Sequence, residues 1–250
     1  MVGEMPFYFA EIKNINDETI ILDGAEHRHL SKVMRAQKGD MITVTDGAGM
    51  AYDCFIARIG RADTELGIVN RTRERGEPSR AVTLAVGIST SSKFDVILHM
   101  CCEIGVSAFA PLLTEKGKVK LEDAERQRRK LTRWREALKA SIKQCERSRI
   151  PDVAPPQQLA DFLSQQRAGR HLRIIAHPAV SEAQSAGART ALRSSASPLT
   201  LLVGPESGFS DAEFQLAMQC GFLPLTAGER TLRAETAAPA LAALALLGRD

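Results

Sequence analysis

Up to about residue 70 the chain alternates short apolar runs with Gly and Asp turns: FYFAEI, TIILDG, MITVTDG, AYDCFIARIG and TELGIV. Runs of this length, rich in β-branched and aromatic residues, predict strands and hence a small β-rich domain. Its one helical segment, His27 to Ala36, carries Arg28, Lys32 and Arg35 on a surface that can face a phosphate backbone. A solvated amphipathic helix is the plainer reading of the same residues. RTRERGEPSR, Arg71 to Arg80, is charged, holds one Gly and one Pro and has no apolar period, which predicts a linker. From Ala81 the pattern becomes an alternation of strands and helices, with AVTLAVGI, SAFAPLL, LRIIAH, LTLLVG and FLPLT as short buried strands. An α/β domain follows. Between the strands, Phe94 to Ile104 is a densely apolar helix. A long helix from about Leu121 to Arg147 sets Leu131, Trp134, Leu138 and Ile142 on a core face. Its opposite face holds Arg126, Arg128, Arg129, Lys130, Arg133 and Lys139, a basic run that is either solvated or turned to RNA. SEAQSAGARTALRSSASPL reads as a weak helix and a surface loop. The expected division is residues 1–72 and 73–250.

Two stretches near the end carry the candidate chemistry. GPESGFSDAEF, Gly204 to Phe214, follows the apolar run LTLLV without a polar spacer and opens into a helix through the capping box Ser210/Glu213. Gly204 and Gly208 allow close backbone approach, Pro205 stiffens the turn, and the helix start aims free N–H groups into the loop. Such a junction is either a ligand loop or only a tight connection. In GERTLRAETAAPALAALALLG a polar loop with two arginines and two glutamates runs into an Ala/Leu helix, Ala240 to Leu247. Glu235 and Thr236 are placed to cap that helix and Pro239 to sit in its first turn. A helix apolar on nearly every side must be buried, in part against a second subunit, and it is too short to span a bilayer.

Composition narrows the class. With 250 residues and 44% hydrophobic content the chain can bury a sizeable core, and a net charge of +3 concentrates its cations in patches. The five cysteines, Cys54, Cys101, Cys102, Cys145 and Cys220, form no C-x-x-C pair and have no spaced His, which argues against zinc, against a disulfide framework and for a reducing compartment. No metal is expected. There is no signal segment and no membrane-length apolar run, so a cytoplasmic protein is expected. Neither the G-x-G-x-x-G fingerprint nor a P-loop occurs, which disfavours a Rossmann-type dinucleotide enzyme.

The chain resembles, nearly end to end, the SPOUT-class methyltransferases that methylate N3 of one uridine in 16S rRNA. GPESGFSDAEF looks like that family's Gly-Pro-Glu-Gly-Gly loop, and GERTLRAETA looks like its second cofactor loop, ending Leu-Arg-x-Glu-Thr-Ala. KFDVILHMCCEIGV is similar to its lysine-led helix, SIKQCERSRIP to its Gln-x-x-Arg-x-x-x-Pro segment, and HRHLSKVMRAQKGD to a segment of its N-terminal domain. The resemblance implies a PUA-like β-barrel that binds RNA, followed by a SPOUT α/β domain whose C-terminal segment forms a trefoil knot. It also implies a homodimer with active sites at the subunit interface, S-adenosylmethionine as cofactor, and 16S rRNA or the small ribosomal subunit as partner.

Residue roles follow from the chemistry and the resemblance together. N3 of uracil must lose a proton before it attacks a sulfonium methyl, and the resulting charge spreads to the flanking carbonyl oxygens. Arg233 is the candidate cation for that charge. Glu235, ahead of Glu206, is the candidate proton acceptor, with holding a loop through backbone N–H groups as the competing role for either. The loops Gly204–Gly208 and Leu225–Leu232, including Pro205, Glu206 and Gly228, are expected to wrap the cofactor, and His177 matches a family His-Pro at the same pocket. Lys93, Lys116, Arg147 and Arg149 match positions expected to touch RNA or support the site, as do Lys32 and Arg35 in the first domain. Four positions depart from the family: Ser207 replaces a glycine, Met100 a common lysine, and Lys116 and Phe7 each an arginine. The first of these puts cofactor affinity in question. A SPOUT methyltransferase for another rRNA or tRNA base, and an RNA-binding assembly factor without activity, stand as the alternatives.

Overall fold

The structure, a computed structural model, describes residues 6–88, 91–117, 119, 123–166 and 171–247. The chain divides into two compact units, Met1–Glu77 with Lys139–Ile150, and Pro78–Leu138 with Pro151–Asp250.

In the first unit, β1 (Phe7–Phe9), β2 (Thr19–Asp23), β3 (Met41–Thr45), β4 (Met50–Ile59) and β5 (Asp63–Arg73) form one sheet in the order β1-β3-β4-β5-β2. β1 runs parallel to β3 and the other pairs are antiparallel, with register shifts at Asp53/Cys54 and Ile56/Arg58. Alternation selects the core: Ile20 and Leu22 are buried while Ile21 between them is only partly so, and Tyr8, Ile42, Val44, Ile56 and Leu66 join them.

The segment expected to be helical from His27 to Ala36 is shorter and irregular. α1 spans Gly24–Arg28 and passes into a wider π-turn over His29–Val33, where Met34 donates its N–H to the His29 carbonyl at 3.0 Å. Arg35 then takes a left-handed conformation, φ +52°, so it stands off the helix rather than on its face.

Residues 139–150, assigned to the second domain by sequence, pack with the first unit. Lys143 reaches Glu26 at 2.6 Å, and Ile150 donates its N–H to the Gly47 carbonyl at 2.9 Å. The side chains of Arg147 and Glu77 pair at 2.7 Å and are only 2% and 7% exposed. Leaving one partner of such an enclosed pair alone costs about 3–5 kcal/mol. No local period announces pairings across seventy residues of sequence, which is why these residues read as an ordinary helix end.

The second unit is built on an all-parallel sheet. β6 (Val82–Gly87), β7 (Ala108–Leu113), β8 (Asp152–Val153), β9 (Gln157–Gln158), β10 (Leu172–Ala176), β11 (Leu199–Val203) and β12 (Leu223–Leu225) take the order β12-β10-β11-β6-β7-β8, with β9 also on β7. Every strand expected from sequence is present, whereas β8 and β9, two residues each, are too short to carry a period. The helices are α2 (Ser91–Ile104), α3 (Ala124–Gln144), α4 (Leu159–Gln165), α5 (Glu182–Ser194), α6 (Asp211–Gln219) and α7 (Ala234–Leu246). Ala85, Ile175 and Leu202 of the sheet pack with Phe162 and Leu163 of α4 and Ala217 of α6. α7 lies against α2, β6 and β11.

Three local expectations need correcting. The helix expected from Leu121 begins at Ala124, and Leu121 lies outside the described residues; its stripe of Trp134, Leu138 and Ile142 is buried as expected. The Ser/Ala-rich segment forms a full helix, α5, because Ser181 and Gln184 make a reciprocal capping box that the composition masked. α7 starts at Ala234 with Arg233 at the N-cap and no side-chain cap bond, so neither Glu235 nor Thr236 caps it, and Pro239 lies inside the helix beyond its first turn. No described helix is long and apolar enough to cross a membrane.

Candidate active site

In a parallel sheet all strand ends of one sense meet at one edge, and open α/β sheets bind ligands there. β10, β11 and β12 are neighbours, and the segments leaving their C-terminal ends wall a cavity of about 320 Å³, within the usual size of small-molecule sites. Its lining comes from Ala176 to Pro178, Val203 to Phe209 with Asp211, Thr226, Ala227, the segment Arg230–Leu232, Ala234 and Ala237, and Lys116.

The first loop owes its shape to a few contacts. Gly208 donates its N–H to the Pro205 carbonyl at 2.8 Å and has φ +68°, a conformation that a side chain would strain. A Cβ on Gly87, at the end of β6, would lie 2.3 Å from Pro205 Cδ, so the loop can rest on β6 only because Gly87 has none. The buried Glu213 accepts from the Ser210 N–H at 2.8 Å and from the Glu115 N–H at 2.7 Å, tying the segment after β7 to the start of α6. Lys116 Nζ donates to the Phe209 carbonyl at 2.9 Å, and the Ser207 hydroxyl donates to the Lys116 carbonyl at 2.9 Å. Ser207 thus spends its extra hydroxyl on fastening the loop.

The second wall is held by backbone. His177 donates its N–H to the Leu225 carbonyl at 3.0 Å, and the Thr226 hydroxyl donates to the Gly228 carbonyl at 3.0 Å. His177 Nδ1 accepts from the Ala179 N–H at 3.3 Å, which assigns the ring proton to Nε2 when the ring is neutral. Burial lowers its pKa below the usual histidine value, with Lys116 acting in the same direction and Asp211 against it. Beside the cavity, Lys93 of α2 forms an ion pair with Glu206 and lies 3.8 Å from Glu235 Oε1. Glu235 Oε2 is buried without a hydrogen-bond partner among the described residues. One ammonium therefore faces two carboxylates, one of which has an oxygen left over.

A family model described as an RNA methyltransferase domain matches residues 76–247, and one described as an RNA methyltransferase PUA domain matches residues 22–66. The ribosomal RNA small subunit methyltransferase E of Synechocystis is 32% identical over 227 residues, which cover 90% of this chain and 72% of that protein. The chain belongs to the small-subunit ribosomal RNA methyltransferase E family. The Bacillus subtilis protein of the same name is 27% identical, covering 93% of each chain. Among solved structures, the methyltransferase E of Neisseria gonorrhoeae bound to S-adenosyl methionine superposes with a TM-score of 0.82 at 28% identity, covering 96% of this chain and 95% of that one. A Legionella pneumophila methyltransferase in complex with the same cofactor superposes with a TM-score of 0.81 at 29% identity, covering 96% of both.

Of the residues the sequence assigned to the cofactor, the cavity brings together His177, Gly204, Pro205, Glu206, Gly208 and Leu232. Leu225 and Gly228 are not on its wall: Leu225 is a fully buried member of β12, and Gly228 turns the chain at φ +107°. Arg233 is exposed and Glu235 partly buried at the start of α7, next to the wall residue Ala234. Of the two roles expected for these lysines, touching RNA or supporting the site, the structure places Lys116 on the cavity wall and Lys93 among the carboxylates. Arg147 does not fit a role at RNA, since its guanidinium is enclosed against Glu77, and Arg149 pairs with Glu74 at 2.8 Å. Lys32 and Arg35 are exposed. Thr226, Arg230 and Thr231 fall inside the Leu225–Leu232 loop that the sequence singled out, whereas Phe209 and Asp211, just past Gly208, were not picked out. Their only signal was adjacency to the Gly204–Gly208 loop.

Proposed function

We propose that this chain transfers a methyl group from S-adenosylmethionine to N3 of one uridine in the 16S rRNA of the small ribosomal subunit. The observation that carries the reading is the cavity at the ends of β10, β11 and β12 with the Lys93–Glu206–Glu235 cluster beside it, in a chain of the methyltransferase E family. The lining fits the cofactor: Val203, Pro205, Phe209 and Leu232 offer apolar surface to an adenosine, loop backbone groups offer hydrogen bonds, and Glu206 and Asp211 offer negative charge to a sulfonium. When bound, the cofactor supplies an electrophilic methyl group. The protein's own task is to align the uracil and to handle its N3 proton. Glu235 Oε2, buried and unpaired among the described residues, supports Glu235 over Glu206 as proton acceptor, because Glu206 is engaged by Lys93. Arg233, exposed at the N-cap of α7, has no side-chain partner among the described residues and is free to meet the uracil oxygens.

A homodimer and a trefoil knot belong to the same proposal. Val96 and Met100 of α2 and Leu244 and Leu247 at the end of α7 are exposed apolar residues on two helices that pack together, a surface suited to a second copy. Met100, where the family often has lysine, adds to that apolar face. The knot is supported by the path from β11 to the sheet edge at β12 and back through α7 to β6 and β11. The first unit is proposed as a PUA-like barrel that binds rRNA, and that substrate places the protein in the cytoplasm. The test is nucleoside analysis of small-subunit rRNA from strains with and without the protein. N3-methyluridine should vanish with it, and its persistence would overturn the reading.

Cofactor affinity follows from the loop. A Cβ on Gly204 would meet the Phe209 ring at 3.2–3.3 Å, so Gly204→Val should displace Phe209 from the wall and weaken S-adenosylmethionine binding at least tenfold by calorimetry. Equal affinities would remove this loop from the cofactor site. Ser207→Gly frees the Lys116 carbonyl, and a severalfold loss of affinity is expected from the loosened loop.

A further inference from the structure

The first unit holds a cavity of its own. It has a volume of about 290 Å³ and is lined by Tyr8, Met34, Asp40 and Met41, among others. Three observations bear on what it takes. The Tyr8 hydroxyl is buried and has no hydrogen-bond partner among the described residues, which is costly unless a ligand supplies one. Val33, Met34 and Met41 expose 66%, 49% and 41% of their surface in one short stretch of a domain whose other apolar residues are mostly enclosed. Lys32, Arg35 and Lys38 are exposed along that same stretch, which leaves the π-turn at Met34 and turns left-handed at Arg35.

Polarizable thioethers with a tyrosine, edged by cations, match an unstacked nucleobase between phosphates, since bases offer flat apolar faces and a backbone of negative charge. We propose that this cavity receives one unstacked base of single-stranded rRNA, with Lys32, Arg35 and Lys38 on the neighbouring phosphates. The proposal rests on the reading of the chain as an rRNA methyltransferase. Tyr8 gives the base a polar contact and Met34 and Met41 its faces. The cations set affinity without reading sequence.

The two kinds of contact separate by salt. Full-length protein is titrated with 16S rRNA from a strain lacking it, and retention on filters is followed across salt concentrations. Met34→Ala with Met41→Ala should weaken binding roughly tenfold or more at every salt concentration and leave the salt slope unchanged. Lys32→Gln with Arg35→Gln should flatten the slope by about 0.7 per lost phosphate contact. Met34→Leu with Met41→Leu keeps the apolar volume and should retain binding, and Tyr8→Phe should lose affinity severalfold without unfolding. Unchanged binding by the Met→Ala pair overturns the cavity, as does a wild type that retains no RNA. Neither result touches the nucleoside analysis, which judges the underlying reading separately.

Discussion

Glu235→Gln is expected to lower single-turnover methylation by roughly 10²–10⁴-fold, the range for losing a general base, and to remove the acid limb of its pH profile. The amide keeps the shape of the carboxylate but takes no proton. Little structural change should follow, because the start of α7 carries no side-chain cap bond and the Glu235 carboxylate meets Lys93 only at 3.8 Å. Glu235→Gln and Glu235→Ala should therefore melt within a few degrees of the wild type, since what is lost is a small helix-dipole interaction and the long 3.8 Å pairing with Lys93. A fully active Glu235→Gln would send the proton to Glu206 or to water. Lys93→Ala is the companion variant. As the ammonium between the two carboxylates, Lys93 should affect methylation rate and leave the salt dependence of RNA binding alone, whereas a phosphate contact would do the reverse.

Arg233→Ala should lower turnover by roughly two to three powers of ten, the scale for removing one preorganised charged donor, with cofactor affinity nearly unchanged. The placement explains both halves of that expectation. Arg233 adjoins the wall residue Ala234 but is itself exposed and off the wall, so it can reach an acceptor base while the cofactor keeps its contacts. Arg233→Lys should recover part of the rate, because the charge returns without the planar fork. A variant whose cofactor affinity falls along with its rate would assign Arg233 to the cofactor instead.

Ser207 and Met100, two of the departures from the family, both have defined places in the fold. The Ser207 hydroxyl fastens the Gly204–Gly208 loop to Lys116, and Met100 extends the exposed apolar face of α2. Neither change removes a group from the cluster of Lys93, Glu206 and Glu235.

Local patterning determined a good deal about this protein. Alternation in TIILDG and MITVTDG marked β2 and β3, the unbroken apolar runs marked β6, β7, β10 and β11, and Ser210 with Glu213 marked the start of α6. These signals lie within a few residues of one another, where backbone period and capping act. The Gly204–Gly208 loop was legible for the same reason: a strand end, a Gly-Pro turn and a helix start are contiguous. Only the tertiary structure decided which charges meet. Lys93 lies over a hundred residues before Glu206 and Glu235, and Arg147 seventy after Glu77, so no period or motif spacing could show that the first sits among carboxylates and the second is enclosed. The short strands β8 and β9 exist because β7 offers them an edge, and the cavity exists because parallel pairing brings the ends of β10, β11 and β12 side by side. Long-range pairing sets both, and it is determined by the packing of the whole domain.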